Sequence, residues 1–202
     1  MRSGSEPWNH ALVTGDWSGG EAEFLLAGPG QLADVLTVLD EAAAWLQGRG
    51  IAQWPPRFEP SWVTGAIGRG ETWLVKVGGT VSATVTLDLA DPVWDDIDGS
   101  ALYVHRMAVR RPAAGLGAVV LRWAAGVARE RGRAALRLDC VAANTKLRAY
   151  YQRAGFAYRG DFTVAGAPGQ RLGNGPVTAV SRYELGLTAQ RPLESHVPHT
   201  SR

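Results

Sequence analysis

The sequence has little cysteine and no long apolar run. Its one cysteine, Cys140, excludes an internal disulfide and is typical of a reducing compartment such as the cytoplasm. No stretch approaches the roughly 18 apolar residues that a membrane-spanning helix needs, and residues 1–10 lack the apolar core of a signal peptide. We therefore expect a cytoplasmic protein without a membrane partner. Because Cys140 lies in a strand-like run, we interpret it as a buried small apolar residue rather than a catalytic thiol.

The net charge is small, but the charges are unevenly distributed. The 202 residues carry +2 at neutral pH. Residues 1–105 contain five Lys or Arg and fourteen Asp or Glu, a balance of −9, whereas residues 106–153 contain eleven and two, a balance of +9. Such a basic segment attracts phosphates, nucleotides or nucleic acid, although arginine is also common on exposed helix faces. Because the acidic half would oppose docking on nucleic acid, we rank nucleic-acid binding last among the functions.

Apolar periodicity and turn residues predict strands mixed with helices. Gly78-Gly79 stands between two β-branched runs and predicts a hairpin, because a tight hairpin turn needs positive φ at both central positions. A β-α-β alternation in the middle predicts a parallel or splayed crossover. We expect one α+β domain over residues 23–187, an irregular arm over 1–22 and a flexible tail over 188–202. The expected strands are 23–27, 72–77, 80–87, 102–109, 134–141, 162–164 and 177–185, and the expected helices are 31–47, 61–68, 116–131 and 144–154.

Two glycines stand between the strand that ends at Val109 and the helix that begins near Leu116. The stretch from 109 to 124 reads V-R-R-P-A-A-G-L-G-A-V-V-L-R-W-A. Backbone N–H groups at a helix N-terminus favour anions, and glycine lets a ligand approach the backbone. On these residues alone, Gly115 and Gly117 form either a plain tight turn or a phosphate site. A P-loop is excluded because no Lys-Ser/Thr follows, and a dinucleotide motif is weak because position 120 is valine.

Neighbouring motifs favour the phosphate site. The chain reads Y-V-H-R-M-A-V before the glycines and L-R-L-D-C-V-A-A-N-T-K-L-R-A-Y-Y-Q-R-A-G-F over 136–156. In this order they resemble the GCN5-related N-acetyltransferase (GNAT) superfamily, whose pattern is a strand ending in L/M-A-V, a glycine-rich turn, a helix, a strand like L-E-V and then N-x-x-A-x-x-L-Y-x-x-x-G-F. The resemblance spans about residues 24–185. It implies a single-domain, mixed, mostly antiparallel twisted sheet with flanking helices and a splayed central strand pair.

The resemblance also implies acetyl-coenzyme A as co-substrate and no metal. In the family, the strand before the turn binds the pantetheine arm, and backbone N–H groups of the turn bind the pyrophosphate. The family's usual turn, Q/R-x-x-G-x-G/A, has Gln or Arg where this chain has Pro112, which supplies no N–H. We expect binding to survive, more weakly. The implied contacts are Met107, Ala108, Val109, Arg110, Arg111, Ala114, Gly115, Leu116, Gly117, Ala118, Asn144, Lys146 and Tyr151.

The implied reaction is N-acetylation of an amine, without a metal or a covalent intermediate. Tyr151 occupies the place of the family tyrosine that protonates the departing thiolate. The candidate bases are Asp139, twelve residues before Tyr151, and His105, on the strand face of Met107. A deprotonation relayed by water is equally open. The acceptor is a small amine or a peptide N-terminus, and a homodimer is one open assembly. The alternative function is a non-catalytic module of the same fold that binds or senses acyl-coenzyme A.

One acidic loop carries a tryptophan. Residues 91–100 read D-P-V-W-D-D-I-D-G-S, with Trp94 among four aspartates. This loop either attracts and stacks a cationic amine or is a solvated surface loop. An EF-hand calcium loop is excluded because Trp94 stands where that pattern needs an oxygen donor.

Overall fold

A mixed eight-stranded sheet organises the part of the chain that the computed structural model describes, residues 11–13, 19–165 and 177–187. The strands are β1 (Ala11–Val13), β2 (Ala22–Leu26), β3 (Thr72–Val77), β4 (Thr80–Asp88), β5 (Ala101–Val109), β6 (Ala135–Val141), β7 (Ala157–Ala165) and β8 (Val177–Gly186), and the helices are α1 (Leu32–Gln47), α2 (Ser61–Gly68), α3 (Leu116–Glu130) and α4 (Thr145–Arg153). Their order across the sheet is β1-β2-β3-β4-β5-β6-β8-β7, and only β5 and β6 run parallel in this sheet. The predicted α+β class and mostly antiparallel sheet are confirmed.

The structure differs from the sequence prediction at both outer strands. Ala11–Val13 lie in the segment expected to be an irregular arm, yet they pair with β2, a long-range contact that local sequence does not encode. At the other edge, β7 begins at Ala157, five residues earlier than expected. Gly160, with a φ of 92°, and the register shift between Tyr158 and Asp161 mark a bulge, whose residues resemble a turn in the sequence. Residues 1–10 and 14–18 of the expected arm and the tail over 188–202 lie outside the described residues.

The predicted hairpin between β3 and β4 is confirmed by the φ angles of its two glycines. Gly78 and Gly79 have φ angles of 55° and 78°, the positive values that a tight turn between antiparallel strands requires. Residues with a side chain rarely adopt this conformation, so the two glycines fix the register of β3 against β4.

Helices cover both faces of the sheet. On one face, α3 presents an apolar stripe whose Trp123 stacks on Phe24 with ring centroids 4.2 Å apart and packs edge-on against Trp73 at 5.0 Å. On the other face, α1 and α2 pack around Leu39 and Phe58. Cys140 is fully buried, and burial raises the pKa of its thiol to about 12, so it is an inert core residue as predicted. Among the described residues, no helix is both long and apolar enough to cross a membrane.

The acidic loop is held against the sheet. Trp94 is almost fully buried, with the guanidinium groups of Arg137 and Arg182 at 5.0 and 5.5 Å from its ring. Arg137 also donates hydrogen bonds to the carbonyl oxygens of Ile97 and Asp98. Trp94 is not available to stack a cationic amine, because it already stacks on two arginines of the chain itself. The loop is exposed at Asp95, Asp96 and Asp98, as the surface-loop interpretation expects, although Trp94 itself is buried. The loop is therefore a structural brace beside the parallel strand pair.

A buried ion pair anchors that brace. Arg137 Nε donates to Glu184 Oε2 at 2.7 Å, and their side chains are 3% and 10% exposed. Burial alone would raise the pKa of Glu184, but hydrogen bonds from Arg137 and Arg159 hold it below its ordinary value of 4.5. The stability that this carboxylate contributes is therefore present above pH 4.5 and is lost as the pH falls through the lower pKa of the folded state.

We expect Glu184→Gln to lower the free energy of unfolding by about 3 kcal/mol, because it leaves the buried Arg137 charge without its carboxylate. The exposed pair Arg69–Glu71 provides the matched control. There, Glu71→Gln should cost less than about 1 kcal/mol. Urea unfolding at neutral pH measures both changes, and equal losses would contradict a special role for the buried pair.

Candidate functional site

The two parallel strands separate halfway along their length. β5 and β6 pair only from Ala101 to Val104 against Ala135 to Leu138. Just after this point, Arg106 has a φ of 48°, the only positive value at a non-glycine among the described residues, and the β4–β5 register shifts beside it. A bulge of this kind bends and twists its strand. The remaining halves of β5 and β6 therefore stand apart and leave an open cleft between them.

A cavity of about 220 Å³ occupies this cleft. Its walls are mostly apolar and come from β5, β6, β7, β8, α1, α4 and the segments before β5 and after α1. The polar lining residues include the three predicted catalytic residues His105, Asp139 and Tyr151. The full lining is Ala42, Leu46, Gln53, Trp54, Val93, Val104, His105, Arg106, Met107, Ala108, Val109, Asp139, Val141, Leu147, Tyr151, Val164, Thr178 and Val180.

The open edge of β5 faces the cleft with its backbone. Arg110 N–H donates to Ser82 O on β4 at 2.8 Å, so this residue and Ala108 direct their backbone groups to β4. Backbone groups alternate along an extended strand, so those of Met107 and Val109 point to the opposite side, where β6 has separated. An extended ligand with amide groups can pair there as an added strand.

Tyr151 is held by other aromatic rings. It is 6% exposed, and its ring lies 5.6 to 5.9 Å from the rings of Tyr150, Phe156 and Tyr183. Desolvation, followed by the nearby Cys140, raises the pKa of Tyr151 well above its ordinary value. Its hydroxyl therefore remains protonated at neutral pH and can donate a hydrogen bond or a proton into the cavity.

The two candidate bases lie next to each other, together with two further carboxylates. His105 Nε2 lies 3.3 Å from Asp88 Oδ2 and 3.8 Å from Asp91 Oδ2. Asp91, His105 and Asp139 each place one nitrogen or oxygen within 4.8 Å of the others. The carboxylates stabilise the positive charge that the imidazole acquires when it takes up a proton. This arrangement can accept and hold a proton.

The first turn of α3 suits an anionic group. Gly115 precedes the helix with a φ of 101°, which favours glycine, and no side chain among the described residues caps this end. The N–H groups of Leu116 and Gly117 have no acceptor within the helix, as in any first turn, while Ala118 N–H bonds back to Gly115 O at 3.2 Å. The exposed Ala114 precedes this turn.

The two arginines before the turn are engaged elsewhere. Arg110 forms a bidentate pair with Glu41 of α1, with both nitrogen–oxygen distances at 2.7 Å. The guanidinium of Arg111 lies 4.4 Å from the ring of Trp45, also on α1. They therefore attach α1 to the turn. Lys146 lies apart, exposed, in a cleft with Asn144 and residues 49–52.

Gln53 is a residue of the site that the sequence did not predict. Its Oε1 accepts hydrogen bonds from Val141 N–H at 3.2 Å and from Asn144 Nδ2 at 3.1 Å. Asn144 Oδ1 in turn caps α4 through Leu147 N–H at 3.2 Å. Gln53 thus orients Asn144 and occupies the open edge of β6. Nothing in its local sequence, A-Q-W-P, reveals this long-range contact.

Two sequence comparisons agree on the family. Residues 39–156, more than half of the chain, match the model of the Acetyltransferase (GNAT) family. YesJ of Bacillus subtilis (strain 168), described as an uncharacterized N-acetyltransferase, is 34% identical over 153 residues, which cover 70% of this chain and 83% of YesJ.

Solved structures share the fold. A GNAT-family acetyltransferase from Listeria monocytogenes 4b F2365 aligns with a TM-score of 0.68 and 24% identity, over 88% of this chain and 100% of that one. The acetyltransferase yncA of Salmonella typhimurium, solved with its cofactor acetyl-CoA, aligns with a TM-score of 0.58 and 14% identity, over 85% and 97%. The family match and the Bacillus relative, on a sheet with this central cleft, establish that the chain belongs to the GNAT family of acetyltransferases.

Proposed function

We propose that the chain transfers the acetyl group of acetyl-coenzyme A directly to the nitrogen of an amine, with Tyr151 as general acid. The observation that carries this proposal is that Tyr151, His105 and Asp139 line one cavity, together with the open edge of β5. A proton donor and a proton acceptor in the same cavity are what amine acylation requires.

The α3 turn and the β5 edge fit the two parts of coenzyme A. The turn offers unsatisfied N–H groups and a glycine with positive φ to the pyrophosphate. The edge offers the backbone groups of Met107 and Val109 to the pantetheine amides. The Salmonella relative solved with acetyl-CoA supports the same ligand here. When bound, acetyl-coenzyme A supplies the thioester.

The base is proposed to be the His105–Asp139 pair. An amine must lose a proton to become nucleophilic, and one nitrogen or oxygen atom of each group lies within 4.8 Å of the other, a separation that a single water molecule can bridge. The neutral amine nitrogen then forms its bond to the carbonyl carbon. As the carbon–sulfur bond breaks, Tyr151 donates its proton to the thiolate. The acylated nitrogen still carries one extra proton, which it releases to solvent, and a proton from solvent restores the Tyr151 phenol, so that the base keeps one proton and the thiol the other.

The acceptor is proposed to be a small amine or a peptide N-terminus that carries an apolar group next to its amino nitrogen. The cavity walls beyond Tyr151 are formed by Leu46, Trp54, Val93 and Val180. A volume of about 220 Å³ is below the 300–1,000 Å³ typical of whole-ligand sites. It therefore encloses the reacting groups rather than an entire large acceptor.

We expect Tyr151→Phe to lower amine-dependent thiol release from acetyl-coenzyme A at least about tenfold, because the thiolate loses its proton donor. The assay uses a panel of aliphatic amines, aralkylamines, polyamines, amino acids and short peptides. Tyr158→Phe, which removes the hydroxyl of an exposed tyrosine, is the matched control and should keep its rate. If acetyl-coenzyme A binds but no amine is acetylated, the alternative binding or sensing module replaces this proposal.

The proposed general base, formed by His105 and Asp139, is tested with His105→Gln, Asp139→Asn and the double variant. If the two groups act as one unit, each single change lowers kcat/KM about 100-fold and the double change is no worse than the poorer single. The acid limb of the pH profile of kcat/KM should shift in both single variants. Unchanged rates in both would support deprotonation through water, and additive losses would contradict a shared role.

Tyrosine absorbance near 295 nm tests the environment of Tyr151. Because burial raises its pKa well above the usual value near 10, this phenol should not ionise below pH 10. The native chain and Tyr151→Phe should therefore give the same rise in absorbance up to pH 10. A smaller rise in the variant within that range would show that Tyr151 ionises like an exposed tyrosine.

A further inference from the structure

A second tyrosine of α4, Tyr150, faces the α3 turn. A Cβ placed on Gly117 would lie 2.9 Å from the Tyr150 hydroxyl oxygen, closer than such atoms approach in proteins. The same Cβ would lie 3.8 Å from Val109 Cγ2. The Tyr150 hydroxyl therefore sits where the end of β5 meets the first turn of α3.

Packing alone does not account for this hydroxyl. The ring of Tyr150 is half-buried and packs against the core cluster on the α3 side of the sheet. An apolar side chain would satisfy the same packing contact. The hydroxyl lies beside a helix N-terminus rather than in the core.

The α3 turn is otherwise poor in side-chain donors. Pro112 has no N–H, and Arg110 and Arg111 contact Glu41 and Trp45. No side chain among the described residues caps the helix. A phenol donates a hydrogen bond well to a charged phosphate oxygen. Tyr150 thus adds a side-chain donor to the backbone N–H groups of the turn.

Burial keeps this donor protonated. Desolvation raises the pKa of Tyr150, and the positive charge of Arg122, further along α3, offsets only part of that rise. At neutral pH the hydroxyl carries its proton and adds no negative charge that would repel a phosphate.

We propose that the Tyr150 hydroxyl donates a hydrogen bond to a pyrophosphate oxygen of coenzyme A at the first turn of α3. This inference rests on the proposed function, because it assumes that coenzyme A binds in the cleft. It makes Tyr150 a binding residue and leaves the chemistry to its neighbour Tyr151.

The test is the binding of two ligands to the native chain and to Tyr150→Phe by isothermal titration. Acetyl-coenzyme A has the pyrophosphate, whereas acetyl-pantetheine has the same arm without phosphate. We expect the variant to bind acetyl-coenzyme A about tenfold more weakly, the scale of a hydrogen bond to a charged group. Its affinity for acetyl-pantetheine should stay within about twofold of the native value. Tyr158→Phe is the matched control and should bind both ligands as the native chain does.

Each outcome separates the inference from the function on which it rests. If the native chain binds acetyl-coenzyme A and the variant binds it equally well, the Tyr150 contact is wrong and the proposed function stands. If the variant loses affinity for both ligands alike, the ring acts through packing and the contact is again wrong. If the native chain does not bind acetyl-coenzyme A, both proposals fail.

Gly117→Ala gives a second test that needs no ligand. The new methyl group would lie 2.9 Å from the Tyr150 hydroxyl oxygen, so the tyrosine must shift in the native chain, whereas alanine favours the helix over glycine in both backgrounds. In the Tyr150→Phe background the oxygen is gone, so the same change should give a higher Tm relative to its parent than it does in the native chain. Equal shifts in the two backgrounds would show that the hydroxyl is not beside Gly117 and would overturn the inference.

Discussion

The separation of β5 from β6 is the constraint on which the rest of the structure depends. β5 and β6 pair for four residues and then diverge. This leaves backbone groups without a sheet partner. Arg106 adopts a costly backbone conformation at this point, which persists only because β4 and the surrounding core hold both sides of the bulge. The cavity, the open edge of β5 and the opposed positions of α1 and α4 all follow from this one departure from regular pairing.

Three arginines of the basic segment stabilise the fold. Arg137 lies buried against Glu184 and supports the acidic loop, Arg110 holds Glu41, and Arg148 donates to the hydroxyl of Tyr183 at 3.1 Å. Part of the +9 balance is therefore paired within the fold, while Arg122 contributes positive charge beside Tyr150 near the α3 turn. Under the proposed function, anion recognition there depends on oriented backbone N–H groups, whose position is fixed by the helix, together with the hydroxyl of Tyr150.

Local sequence encodes the parts of the fold that repeat a pattern. The apolar stripe of α3, the glycine pair between β3 and β4, and the order of motifs around Asn144 and Tyr151 could all be predicted before any coordinates. Contacts between segments that are distant in the sequence could not be predicted in this way. Gln53 contacts Asn144 across 91 residues, and Trp94 contacts Arg137 from an earlier segment of the chain, with no periodic signal in either stretch. The proximity of His105 and Asp139 likewise arises only because two neighbouring strands place them side by side.

Helix α1 belongs to both halves of the site. Glu41 and Trp45 contact the arginines before the α3 turn, while Ala42 and Leu46, one residue further along, line the cavity in which the acceptor is proposed to bind. Under the proposed function, α1 therefore lies against both substrates. Any effect that one substrate has on the affinity of the other through this helix is equal in both directions, because linkage between two binding events is reciprocal.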